Sequence, residues 1–278
     1  MVRAFFALLM VTFLWGSTFP FIKMAVNGES VYLYLSLRFW LAGILSMFLW
    51  KKHSLKYGLI IGIFISLGQI TQTIGLTLTT ASKSGFITSL YIVLVPVFAY
   101  LIEKEKPTLM QIIAFPISIL GSYFLSGGVK GFNVGDILTV LCAVFYALSV
   151  VYITKYSKIV PESSLLSYQF IAVAIMNTAL AFTSPGGKVS IPLILVVIYT
   201  AVFSTIIATL FQSKYQKILG NNMSAFVFIG EPIFAAFFAF LILKETLSVK
   251  QFLGASIMII SLIIGTIPSK NKEKITPI

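Results

Sequence analysis

The sequence predicts an all-α integral membrane protein: ten transmembrane helices built from two inverted five-helix repeats. Three observations carry that prediction. Of 278 residues, 58% are hydrophobic and only 10% charged, against roughly 25% charged in a soluble domain. The apolar residues fall into ten blocks, each long enough to cross a bilayer. The second half of the chain also repeats the first in a fixed register.

The ten spans are read near 4–26, 31–50, 57–79, 84–102, 108–126, 134–155, 163–183, 191–213, 222–243 and 249–267. Turn and breaker residues separate them: Asn27-Gly28, Lys51-Lys52-His53, Lys106-Pro107, Gly127-Gly128, Pro161, Pro185-Gly186-Gly187 and Gly220-Asn221-Asn222. The first block follows Arg3 and has the start of a signal peptide. It has no small-x-small cleavage site and is too long, so it is read as a span.

Charge assigns the orientation. With the N-terminus in the cytoplasm, thirteen of the twenty Lys and Arg residues fall inside: Arg3, Lys51, Lys52, Lys56, Lys104, Lys106, Lys155, Lys158, Lys214, Lys217, Lys270, Lys272 and Lys274. Five fall outside, at Lys83, Lys130, Lys188, Lys244 and Lys250, while Lys23 and Arg38 lie within spans. This bias follows the positive-inside rule and places both termini in the cytoplasm, in a multi-pass protein of the cell membrane. The net charge of +12 is explained by topology and not by nucleic acid, because the basic residues sit in short clusters between apolar blocks.

Shifting the chain by 140 residues lays FAYLIEKE (98–105) on FAFLILKE (238–245), identical at six of eight positions. The same register pairs Gln72 with Gln212, Ser84 with Ser224, Phe86 with Phe226 and Gln111 with Gln251. The repeats are therefore drawn as 1–130 and 131–270, with a tail at 271–278. Each holds five spans, an odd number, so the second copy is inverted relative to the first. Inverted repeats are typical of secondary transporters, which bind substrate where the copies meet near the midplane.

The candidate site is built around Glu231, a carboxylate directly before Pro232. About nine apolar-rich residues precede it and about a dozen follow, which sets it near mid-bilayer. A carboxylate at that depth faces protein or a wet cavity, either as a binding group or satisfied by a neighbouring helix. Pro232 has no N–H to give the Phe228 carbonyl, so a kink is expected there. The register places Tyr91 opposite Glu231, so the two halves bring unequal chemistry.

Helical spacing adds further candidates. Thr88 shares a face with Ser84 and Tyr91. Gln72 and Gln212 are amides in hydrocarbon that need several partners, from a cavity or from neighbouring helices. Trp15, Tyr91 and Tyr146 sit deeper than the interfacial belt. Arg38 lies about a turn and a half inside the second span, where it can pair with a substrate carboxylate or with a helix end. Glu105 and Glu245 end their spans beside lysines and read as surface or gate contacts.

Other chemistries find little support. The only histidine is His53, in a basic loop, and the only cysteine is Cys142. No HExxH pattern, phosphate-cradling glycine loop or nucleophile elbow occurs, and no paired intramembrane carboxylates, so no catalytic residue, metal or cofactor is expected. The rival reading, a membrane-embedded enzyme or sensor for a lipid-soluble molecule, lacks those groups and an output domain.

Over essentially its full length the chain resembles the drug/metabolite transporter superfamily, specifically the EamA-type ten-helix transporters. The resemblance rests on Trp15-Gly16, Arg38, Pro96 and Glu105 in the first half, and on Leu219-Gly220, Glu231-Pro232, Glu245 and Gly254 in the second. It implies export of amino acids, other metabolites or drugs through a central cavity between the repeats. The residues themselves suggest alternating access by rocking of the halves, and Glu231 as a carrier for coupled protons. The aromatic content favours amphipathic or aromatic solutes over strongly hydrated ions.

Overall fold

The computed structural model describes residues 1–25, 31–79, 81–127, 131–183, 186–244 and 246–267. Glu245, Lys130, the Asn27-Gly28 turn, Gly128, Pro185 and the tail with Lys270, Lys272 and Lys274 lie outside these residues.

Every regular element among the described residues is helical. In chain order they are α1 (Val2–Ala25), α2 (Val31–Leu49), α3 (Leu55–Leu78), α4 (Ala81–Ser89), α5 (Tyr91–Glu103), α6 (Leu109–Leu125), α7 (Val134–Ser157), α8 (Leu166–Thr183), α9 (Ile191–Tyr199), α10 (Ala208–Leu219), α11 (Asn221–Phe228), α12 (Gly230–Leu243) and α13 (Val249–Gly265). A 3-10 turn at Glu162–Leu165 leads into α8, and a π-helical stretch at Thr200–Ile207 joins α9 to α10.

Eight of the ten spans are long and apolar enough to cross a membrane. The fifth and tenth are shorter than expected, at 17 residues each in α6 and α13. Capping boxes fix where they begin. Thr108 exchanges hydrogen bonds with Gln111, and Ser248 does the same with Gln251, so neither helix starts earlier. Seventeen residues rise about 25 Å, the lower limit for a spanning helix.

Three spans are interrupted. The fourth breaks at Leu90, between α4 and α5, and not at Pro96, which α5 carries within it. The ninth breaks at Ile229, between α11 and α12, three residues before Pro232. At both breaks the backbone makes one tight i→i−3 bond, from Leu90 N to Ile87 O (3.1 Å) and from Ile229 N to Phe226 O (3.1 Å). The eighth span carries the π-helical stretch. Breaks inside a membrane persist only where protein satisfies the freed groups.

Small residues bring the spans together. A Cβ on Gly75 of α3 would come within 2.7 Å of the Thr139 hydroxyl and 2.8 Å of the Gly135 carbonyl of α7. Gly58 and Gly62 face α8 in the same way, and Gly121 of α6 faces Gly254 and Met258 of α13. Polar stitches cross these contacts, such as Ser261 Oγ to Ala114 O (2.7 Å) between α13 and α6, and Ser36 to Thr178 (2.6 Å) between α2 and α8. Each is worth about 0.6 kcal/mol in a membrane. Two apolar cores result, one centred on α1, α5, α7 and α11, the other on α2, α8 and α9.

The connections gather at two ends. At one end, Ser54 N bonds Ser164 O (2.8 Å), Lys158 pairs with Glu103 (3.0 Å) and Lys217 pairs with Glu162 (2.5 Å). At the other, Thr79 donates to Asp136 (2.9 Å) and Asn133 to Leu78 O (3.0 Å). At the first end, α5 stops in a left-handed Lys104 (φ 57°), which turns Glu105 back towards the start of α11. Its carboxylate accepts from Asn221 N and Asn222 N, both at 2.9 Å, so the N-terminus of α11 is capped from another span. Gly220 has φ +81°, and a Cβ there would lie 3.0 Å from the Glu105 carboxylate, so both shape and space call for glycine. Lys244, at the end of α12, is the other left-handed non-glycine residue among those described (φ 58°).

Gly75→Val should lower the melting temperature of the detergent-purified protein, at a cost of about 1–3 kcal/mol for overpacking. Gly85 meets nothing within 4 Å, so Gly85→Ala in the same assay should hold or raise it.

Candidate functional site

The break at Leu90 makes Tyr91 the first residue of α5, and the break at Ile229 puts Glu231 in the first turn of α12. The two side chains meet, the Tyr91 hydroxyl donating to Glu231 Oε2 at 3.4 Å. These are positions that the sequence register places opposite each other, 140 residues apart.

Beside them lies Tyr146 of α7, its ring edge-on to Tyr91 with centroids 6.4 Å apart. Its hydroxyl donates to Gln72 Oε1 (3.1 Å), and Gln72 Nε2 donates to Thr88 Oγ1 (3.2 Å). Cys142, one turn before Tyr146, sets its thiol against the Thr88 and Tyr146 hydroxyls. In this cluster Glu231, Tyr146, Gln72 and Thr88 are each half-buried. Tyr91 and Cys142 are buried behind it.

A second group adjoins the first. Trp15 of α1 stacks at a tilt on Phe228 (5.4 Å between centroids) and donates its indole N–H to Ser204 O (3.1 Å). Ser204 lies in the π-helical stretch, a rare element that is frequent at functional sites. Arg38 of α2 reaches the same stretch and donates to Thr205 Oγ1 (2.8 Å), Ser204 Oγ (3.1 Å) and the Tyr34 hydroxyl (3.2 Å). Tyr146 lies within electrostatic reach of both Arg38 and Glu231.

The structure thus joins seven of the eight sequence candidates: Glu231, Tyr91, Tyr146, Gln72, Thr88, Trp15 and Arg38. Gln212 stands apart. It is 4% exposed and donates to Gln216 (3.0 Å), which bonds Val150 O and Thr154 Oγ1 of α7, both at 2.6 Å. Tyr34, Ser204 and Gln216 were not singled out by sequence. Tyr34 and Gln216 carry a usable signal, each lying four residues along its helix from a polar candidate. Ser204 carries none, since the π-helical turn that aims it has no motif. Among the described residues the Gln169 amide, buried beside Gly58 and Gly62, has no hydrogen-bond partner. Among the described residues no group of three or more His, Cys, Asp or Glu could hold a metal.

The arrangement offers a carboxylate, a guanidinium, hydroxyls and an amide on an aromatic frame, inside a membrane protein. That suits reversible binding of a small polar or amphipathic molecule. The family model of the EamA-like transporters matches residues 2–127 and 133–266. The chain belongs to the EamA-like transporter family. It is a multi-pass membrane protein of the drug/metabolite transporter superfamily.

This EamA-like chain is 34% identical, over 92% of its length and 83% of the relative's, to an uncharacterized transporter of Archaeoglobus fulgidus. It is 27% identical to the uncharacterized transporter YcxC of Bacillus subtilis, over 98% and 95% of the two chains. A solved crystal structure with 14% sequence identity superposes at a TM-score of 0.81, covering 96% of this chain and 97% of its own, which shows the shared fold.

Gln216→Leu should lower thermal stability, because it removes the buried bonds that join Gln212, Val150 O and Thr154 Oγ1, at about 1–3 kcal/mol. Gln72→Leu should leave the melting temperature within a few degrees and act on solute binding instead. Melting curves of the two purified variants with and without solute separate these roles.

Proposed function

We propose that the chain is a secondary transporter that carries small organic solutes across the cell membrane by alternating access, binding them at the Tyr91–Glu231 centre. The observation that carries this reading is that contact itself. Two residues equivalent under the 140-residue register touch each other, which happens only on the axis relating two copies.

The pattern of packing supports the two copies, 1–130 and 131–270. Numbering the spans 1 to 10, span 5 packs on 10, span 2 on 7 and span 4 on 9, while 3 on 6 answers to 8 on 1, and 1 on 9 to 6 on 4. Adding five to each number returns the same set. The paired left-handed residues Lys104 and Lys244 fit the same relation. With the Glu103, Glu105, Lys158 and Lys217 end facing the cytoplasm, as the positive-inside rule prefers, the molecule is closed on that side. The half-buried carboxyl of Glu231 is suited to take up and release a proton during the cycle. The family resemblance makes export the direction we favour, with amino acids and amphipathic metabolites as the solutes.

Counterflow in proteoliposomes of labelled neutral, aromatic and basic amino acids, with and without a pH gradient, tests the reading. Saturable flux of one class is expected in wild type, and Glu231→Gln should abolish it or remove its dependence on the gradient. Wild-type flux with unchanged pH dependence in Glu231→Gln would sink the role given to that carboxyl.

Closure by Glu105 is tested separately. In a Cys142→Ser background carrying Thr88→Cys, a membrane-impermeant thiol reagent should label from the Lys56/Lys217 side at least several-fold faster once Glu105 is replaced by Ala. An equal rate would remove Glu105 from the gate.

A further inference from the structure

Arg38 is a permanent cation held well inside a spanning helix without a countercharge. Its side chain is ionised at any accessible pH, and among the described residues it makes no salt bridge. Glu231, the carboxylate of the same constellation, accepts from Tyr91 instead. A charge at this depth is costly, and such residues pair with an opposite charge or mark a substrate path.

The neutral oxygens around Arg38 are set in advance. The Tyr34 hydroxyl spends its hydrogen on Thr200 Oγ1 (3.0 Å), and the Thr205 hydroxyl spends its own on Thr200 O (2.9 Å), across the wide π turn. Each oxygen is then left only to accept, and each accepts from Arg38. Tyr34, Ser204 and Thr205 are 1%, 3% and 2% exposed, so solvent does not compete for these bonds. They use three of the five guanidinium N–H donors. One N–H on each terminal nitrogen remains, and Arg38 is itself half-buried. Two donors on a planar cation match the two oxygens of one carboxylate.

We propose that Arg38, aimed by Tyr34, Ser204 and Thr205, is the subsite that receives the carboxylate of the transported solute. This rests on the transport reading and adds the chemical class of its solute. The Trp15, Phe228, Tyr91 and Tyr146 rings supply the apolar wall beside it. The charged end of the ligand meets the guanidinium, and Glu231 lies across Tyr146 at the opposite pole.

The test uses full-length protein in a neutral detergent and three probes that share one ring: 3-phenylpropionate, 3-phenylpropionamide and phenethylamine. Binding is read from the shift in melting temperature against concentration. The carboxylate should bind at least tenfold more tightly than its amide, Arg38→Gln should erase that preference, and Arg38→Lys should restore part of it. Ser204→Ala with Thr205→Val keeps the charge but frees the guanidinium. This pair should weaken 3-phenylpropionate several-fold, and it decides the matter if Arg38→Gln does not fold. No preference for the carboxylate in wild type, or an unchanged preference in Arg38→Gln or in the hydroxyl pair, overturns the subsite. Phenethylamine counterflow without carboxylate binding would overturn the subsite and leave transport standing. Carboxylate binding without counterflow of any solute would support the subsite and strike the transport reading instead.

Discussion

A backbone amide or carbonyl left unpaired in hydrocarbon has no water to turn to, and the rest of the structure follows from that constraint. Breaks in a span are therefore placed only where other protein groups reach them. On the eighth span the Thr205 hydroxyl bonds the Thr200 carbonyl and the Trp15 indole bonds the Ser204 carbonyl. The breaks at Leu90 and Ile229 each retain a tight local bond. All three interruptions border the same polar constellation, so the cost of breaking helices is incurred where it can serve binding. An unbroken ninth span would turn Glu231 by a different angle away from Tyr91.

Charge follows the same economy. Glu105 satisfies two N–H groups at the start of α11 from another span, and Glu103 bonds both Lys158 and the Asn221 amide. Lys217 reaches Glu162 and the Ser157 carbonyl. These contacts tie four chain segments together at one end. The two ion pairs among them are partly exposed, so they exchange readily with water. The interior charges are treated differently. Among the described residues Arg38 and Glu231 bond neutral hydroxyls and not each other.

Residues paired by the 140-residue register differ in their chemistry. Gln72 binds Tyr146 and Thr88 in the constellation, whereas its register partner Gln212 ties α10 to α7 through Gln216. Tyr91 donates where Glu231 accepts.

Hydrophobic periodicity was enough to determine the helical membrane class and the order of its apolar blocks, eight of them long enough to cross a membrane. Burial in a bilayer requires long apolar blocks, and such blocks are visible locally. The candidates Tyr91, Tyr146, Gln72, Thr88, Trp15 and Arg38 were legible because polar or large aromatic groups at that depth demand a reason. The short α6 and α13, the break at Leu90 ahead of Pro96, and the separate place of Gln212 were decided by tertiary structure. So were Tyr34 and Ser204 as partners of Arg38. Capping, helix interruption and hydrogen-bond partnership depend on which span lies alongside, and α2 meets the π turn across more than 160 residues of chain. No local pattern in the sequence encodes that distance; only the packed bundle closes it.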